Sequence, residues 1–218
     1  MSTRTADYLE AIGHLPDGTM LVIPQSTWEE YERLLGDLAA WPGMRVTYDR
    51  GRLEIMSPSA EHEEYKEFIS QIVRAAADVL GLPLEMRGST TWKREQAQQG
   101  TEPDACFYIA NAQRIIGKRT IDLESDPAPD VAVEIDITNE SLSKFSIYAA
   151  LEVPEIWRYD GKTARFYALG DGRYREVAES RFLRRLAATM LTDALAQSKR
   201  DGQTAALTAF GRRFRGEG

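Results

Sequence analysis

The sequence predicts an α/β protein with a mixed central sheet flanked by helices, and three observations carry that prediction. The segment Asp130 to Ile137 is apolar at most positions and has the strand spacing of a buried central strand. The segment after Pro58 repeats apolar residues at three- and four-residue steps, the period of a helix with one broad buried face. Shorter strand-like and helix-like stretches interleave with these two, as in a sheet covered by helices.

The first element is a helix over Thr27 to Leu38. Ser26 is its expected cap, with Glu29 completing a capping box, and Trp28, Tyr31, Leu34 and Leu35 are its anchors. Arg45 to Ser57 reads as a hairpin turning at Arg50-Gly51, with Glu54 on its exposed side. Ser57-Pro58 then opens the long helix, serine as cap and proline at the first position. Tyr65, Phe68, Ile69, Ile72, Val73 and Ala76 form its apolar stripe, and Gly81 ends it.

Strands are expected at Leu84 to Lys93, Pro103 to Ile109 and Asp130 to Ile137, with a polar loop at Glu95 to Thr101 and a longer connection at Asn111 to Pro129. A helix over Ser141 to Leu151 places Leu142, Phe145 and Ala149 on one face. Strands at Glu155 to Tyr159 and Ala164 to Leu169 flank an Asp160-Gly161 turn. A short strand at Tyr174 to Val177 and a helix at Thr192 to Gln197 follow. The organisation expected is one domain over residues 1–198. A basic tail follows over residues 199–218, where Lys199, Arg200, Arg212, Arg213 and Arg215 outnumber Asp201 and Glu217; it reads as a mobile basic arm or as a solvated tail with no function.

The chain has 218 residues, 43% of them hydrophobic and 28% charged, enough to bury a substantial core. No apolar run approaches the roughly 18 residues of a membrane span, and Met1 to Met20 lacks the apolar centre of a signal peptide. Cys106 is the sole cysteine, which excludes an internal disulfide and a cysteine zinc site. Together these features lead to the expectation of a cytoplasmic protein. The net charge of −7 excludes a generally basic nucleic-acid coat protein, while leaving room for an acidic metal-binding cleft.

The chemistry concentrates in the strand Asp130 to Ile137. Val131, Val133, Ile135 and Ile137 fall on one face, and Ala132, Glu134 and Asp136 on the other. Two carboxylates on one face of a central strand require a nearby cation, whether a metal, a lysine or an arginine. Asp104, at the start of the preceding strand, converges with Glu134 if the two strands are neighbours. Oxygen ligands of this kind suit Mg²⁺ or Mn²⁺. Lys144, at the start of the next helix, is long enough to reach back to the strand end. Taken alone, the same carboxylates also fit a structural ion-pair site. His62 shares the helical stripe of Tyr65, Ile69 and Ile72. It reads two ways, as a ligand or proton shuttle at the metal site and as a local capping or packing contact. Tyr148, Trp92 and Trp157 read as packing residues, and Cys106 as a small buried hydrophobe.

The pattern of Pro103-Asp104 followed by Glu134 in an apolar strand resembles the PD-(D/E)XK restriction-endonuclease-like superfamily. Within it the chain is similar to the Uma-two family of proposed endonucleases. The matching segments are Gly51 to Pro58 leading into His62, Glu102 to Asp104, Val133 to Ile135, and Lys144 through Tyr148 to Val153-Pro-Glu-Ile-Trp157. The resemblance implies an αβββαβ core, with the N-terminal helix and hairpin and a C-terminal helix added to it. The superfamily pattern places a lysine at position 136, where this chain has Asp136. The Uma-two pattern places it on the following helix, at Lys144, and has an aspartate where this chain has Glu140.

The resemblance implies Mg²⁺- or Mn²⁺-dependent hydrolysis of phosphodiester bonds in DNA. Asp104 and Glu134 are the implied metal ligands, Asp136 is a further ligand or outer acceptor, and Lys144 is the catalytic lysine. By analogy with restriction-type nucleases, a homodimer is expected. Two alternatives compete with that function. One is a degenerate nuclease fold that binds nucleic acid or a protein partner, and the other is a metal-dependent hydrolase of a small phosphorylated molecule.

Overall fold

A computed structural model describes residues 9, 11–38, 43–137 and 144–217. Its order is β1 (Met20–Pro24), α1 (Trp28–Leu38), β2 (Arg45–Asp49), β3 (Arg52–Met56) and α2 (Ala60–Leu80), then β4 (Glu85–Met86), β5 (Trp92–Arg94), β6 (Gln99–Thr101) and β7 (Ala105–Tyr108). There follow α3 (Ala112–Ile115), β8 (Val131–Ile135), α4 (Phe145–Ala150), β9 (Glu155–Tyr159), β10 (Ala164–Gly170), β11 (Arg173–Val177), α5 (Ala188–Asp201) and α6 (Gln203–Arg215).

The strands form two sheets, and the α/β class with a mixed sheet is as the sequence predicts. The larger runs β11-β10-β9-β8-β7-β4, with β8 and β9 parallel and the other pairings antiparallel. The smaller runs β1-β3-β2-β6-β5, all antiparallel. One face of the larger sheet, with Ala105, Phe107, Val131, Val133 and Ile135, packs against α2, α5 and α6. Its other face, with Cys106, Tyr108, Ala132 and Ile156, packs against Trp92, α3 and α4. The strand carrying the acids is therefore covered on both sides. Among the described residues, no helix is long and apolar enough to cross a membrane.

Both helix starts differ from the sequence reading by one or two residues. At α1 the reciprocal capping pair is Thr27 with Glu30: the Thr27 N–H donates to Glu30 Oε2 at 2.9 Å and the Glu30 N–H to Thr27 Oγ1 at 3.2 Å. The hydroxyl of Ser26 donates instead to the Ile23 carbonyl. At α2 the cap is Ser59, whose Oγ accepts from the His62 N–H. Ser57 exchanges backbone bonds with the Gly18–Thr19 turn. Gly81, left-handed at φ 64°, closes α2 as expected.

The expected strand Leu84 to Lys93 is two strands in different sheets. Gly88, at φ 55°, turns the chain from β4 of the larger sheet to β5 of the smaller. The expected loop Glu95 to Thr101 contains a buried strand. Its polarity is matched across β2, where Thr47 and Thr101 share a hydroxyl bond of 2.9 Å and Gln99 Nε2 donates to Asp49 at 2.8 Å. Gly100 is required there, because a Cβ would fall 2.3 Å from the Tyr31 hydroxyl. Glu54, expected on an exposed face, is buried and paired with Arg52. The helix expected from Ser141 begins at Phe145 within the described residues, and Leu142 lies outside them.

The largest departure is the C-terminus. Residues 203–215 form α6, which packs on α2 and α5 and buries Ala206, Phe210 and Phe214. These three recur every fourth residue and give the segment a narrow apolar stripe among its arginines. Phe214→Ala is predicted to cost about 3–5 kcal/mol, as for a buried aromatic truncated in a core. Urea unfolding measures this, and a change under about 1 kcal/mol, the range of surface substitutions, is the result a solvated tail would give.

Candidate metal and catalytic site

The register of the sheet brings the acids together. Ala105 pairs with Val133 and Glu134 pairs with Arg158, so Asp104, one residue before Ala105, enters beside Glu134 in the same row. The Asp104 backbone confirms the alignment by donating to the Val133 carbonyl at 3.0 Å. Both side chains are buried, at 1% and 5% exposure.

Each oxygen of this pair has a distinct surrounding. Asp104 Oδ2 accepts from the Ile135 N–H at 2.7 Å and lies 3.2 Å from His62 Nε2. Asp104 Oδ1 is buried without a hydrogen bond, and Arg45 Nε is 3.8 Å away. Glu134 Oε2 accepts from Lys144 Nζ at 2.7 Å, and Oε1 accepts from the Tyr148 hydroxyl. Asp136 is engaged by Arg158, whose Nε donates to it at 2.7 Å. Glu102 is held by the Val46 N–H and the Thr91 hydroxyl.

Burial pushes the Glu134 carboxyl up to about 7, against the opposing pull of Lys144 and with added repulsion from Asp104 and Asp136. Burial pulls Lys144 downward, but the charges of Glu134 and Asp104 outweigh it and hold the lysine above its usual value. The same contest at His62, burial against Asp104, also ends in an upward shift. Tyr148 is driven well above the usual phenol range by burial and by Glu134, so its hydroxyl keeps its proton and donates a hydrogen bond at neutral pH.

Sequence reasoning brought Asp104, Glu134 and Lys144 to one place, and they are found there. His62 faces Asp104 from the first turn of α2, through the cap at Ser59. Asp136 borders the same small cavity as Glu134 and Lys144, with its carboxylate on Arg158. Two contributors escaped the reading. Tyr148 looked like packing, yet its hydroxyl holds Glu134. Arg45 is polar at the start of a hairpin, where nothing in the local pattern marks it as buried. The tight turn at Thr138 to Ser141 and the position of Glu140 lie outside the described residues.

Among the described residues, no group of three or more His, Cys, Asp and Glu forms a metal cage. Mg²⁺ does not require one, since it keeps several waters and takes one or two carboxylates. The unbonded Asp104 Oδ1 and the adjacent Glu134 carboxylate fit that donor set. The cavity at Glu134, Asp136, Lys144 and Tyr148 has a volume of about 10 Å³, roughly one water. A groove of about 1000 Å³ lies elsewhere, lined by Trp28, Glu29, Glu32, Lys93, Glu95 and Asp122, and its acidic rim is unsuited to phosphate.

Comparison with known proteins gives three results. The family model of Uma2, described as "putative restriction endonuclease", matches residues 28–200. No curated protein matches the chain. The crystal structure of a "putative nuclease belonging to DUF820" from Anabaena variabilis superposes with a TM-score of 0.47 at 18% identity, over 69% of this chain and 90% of that one.

The raised Glu134 pKa has a consequence for metal-free stability. Between the usual carboxyl value of 4.5 and about 7, the folded protein holds a proton that the unfolded chain has released. Its stability therefore falls as pH rises through that window. Glu134→Gln is predicted to remove this slope in thermal melts taken in EDTA. An unchanged slope would show that Glu134 titrates normally.

Proposed function

Since this chain belongs to the Uma2 family, whose model matches residues 28–200, we propose that it is a Mg²⁺-dependent endonuclease hydrolysing phosphodiester bonds in DNA. The observation that carries the proposal is the buried pair Asp104 and Glu134, with one carboxylate oxygen unbonded and Lys144 2.7 Å from the other acid.

In this reading Asp104 and Glu134 hold the cation, helped by the Ile135 carbonyl. When bound, Mg²⁺ supplies Lewis-acid polarisation of a phosphate oxygen and lowers the pKa of a coordinated water. Lys144 orients the attacking water and offsets negative charge gathering on the phosphorus centre. Tyr148 fixes the Glu134 carboxylate from the opposite oxygen. His62, with Nε2 3.2 Å from Asp104 Oδ2, is placed to relay a proton or to steady that carboxylate. Asp136, paired with Arg158, acts as an outer acceptor unless that ion pair opens.

A homodimer, as in restriction-type nucleases, is part of the same proposal.

Plasmid, linear and single-stranded DNA incubated with Mg²⁺ or Mn²⁺ test the reading. The expected result is cleavage by the parent protein, lowered at least about 100-fold in Asp104→Ala and in Lys144→Ala, with far-UV circular dichroism retained. A parent protein that cleaves none of these substrates with either metal would overturn the reading and favour a binding role.

A further inference from the structure

Arg45 belongs to β2 of the smaller sheet, yet its guanidinium reaches the acids of the larger one. It is 6% exposed. Its NH2 donates to Glu63 on α2 at 3.1 Å, and its NH1 donates to the Gly43 carbonyl at 3.3 Å. Its third nitrogen, Nε, is buried without a hydrogen bond and lies 3.8 Å from Asp104 Oδ1, itself buried and unbonded. The next residue of β2 acts on the same segment, since the Val46 N–H donates to Glu102. Residue 46 thus bonds Glu102 while residue 45 places its charge against Asp104, on either side of Pro103.

We propose that Arg45 is a positioning residue for the cation site, orienting the Asp104 carboxylate through the charge of its guanidinium, which lies 3.8 Å from the oxygen that Ile135 does not bond. This rests on the metal-site reading above. A buried arginine is expensive unless its charge is matched. Glu63, half in solvent and shared with Lys66, matches it only in part. Asp104 supplies the rest. The fork geometry is what lets one side chain serve both acids, since NH2 faces Glu63 while Nε faces Asp104.

A plain clamp between the sheets would make a different prediction. Removing a clamp lowers thermal stability and leaves metal affinity unchanged in the molecules that remain folded. Removing a positioning residue weakens the metal even where folding is intact, by about 10- to 100-fold for residues that orient a ligand.

The experiment is calorimetric titration of Mn²⁺ into the parent, Arg45→Met, Arg45→Lys, Glu63→Gln, Asp104→Asn and the Arg45→Met/Asp104→Asn double variant, each checked by circular dichroism. Arg45→Met is expected to weaken Mn²⁺ at least about 10-fold, Arg45→Lys to recover part of that loss, and Glu63→Gln to give a smaller loss. In the Asp104→Asn background, Arg45→Met is expected to add nothing, because the arginine acts through Asp104. Glu63→Gln keeps the arginine and provides a folded test if Arg45→Met does not fold. The inference is overturned if folded Arg45→Met binds Mn²⁺ within twofold of the parent, if Glu63→Gln alone is folded and binds like the parent, or if the loss persists undiminished beside Asp104→Asn. If the parent itself binds no Mn²⁺, the metal-site reading fails and takes this inference with it. Binding by the parent with no effect of Arg45 sinks the inference alone.

Discussion

Two carboxylates held side by side in a dry sheet repel each other and lose the hydration that makes them stable as ions. Asp104 and Glu134 are in that position, and the surrounding structure answers the problem locally. Glu134 receives a lysine on one oxygen and a phenol on the other. Asp104 receives a backbone N–H, an imidazole and, at longer range, an arginine. Asp136, two residues beyond Glu134, receives the arginine that stands opposite Glu134 in the parallel register. The matching cations and donors come from α2, α4, β9 and the smaller sheet, so forming the site requires most of the fold to be in place. An ion pair this deep is weak support for stability, because its desolvation offsets most of its attraction.

The fold sets this geometry through register. Antiparallel pairing of β7 on β8 fixes Asp104 next to Glu134, and parallel pairing of β9 on β8 fixes Arg158 on the other flank. A slip of one residue in β7 would turn Asp104, and one in β9 would turn Arg158, onto the apolar face packed by α2. Val131, Val133 and Ile135 prevent that slip, since their burial under α2 makes the alternation of β8 irreversible in practice. The capping of α2 at Ser59 then sets the angle at which His62 meets Asp104.

Much of this was legible in the sequence because it depended on strong local periodicity. The alternation in Asp130 to Ile137 placed Glu134 on the correct face, and the helical stripe of α2 placed His62 toward the sheet. The Lys144 contact followed from chain length and the resemblance. What was hidden has a common cause. β6 is polar because its partners across β2 are polar, and a single sequence does not show which strand lies opposite. The split of Leu84 to Lys93 between two sheets rests on one glycine. α6 buries only Ala206, Phe210 and Phe214, one residue in every four, beside three arginines in its last turn. Arg45 and Glu54 are buried charges whose compensation is tertiary, so their surroundings in the chain resemble those of any exposed hairpin residue. Tyr148 fits a packing role at its position, and only the structure shows where its hydroxyl goes.

The account turns on whether Asp104 and Glu134 jointly hold one divalent cation, and crystals grown with Mn²⁺ and measured at its absorption edge test this directly. The account predicts a single anomalous peak within coordination distance of Asp104 Oδ1 and a Glu134 carboxylate oxygen, about 2.0–2.2 Å as for hard divalent ions bound by oxygen. Both acids still bonded only to their protein partners, with no peak between them, would contradict it.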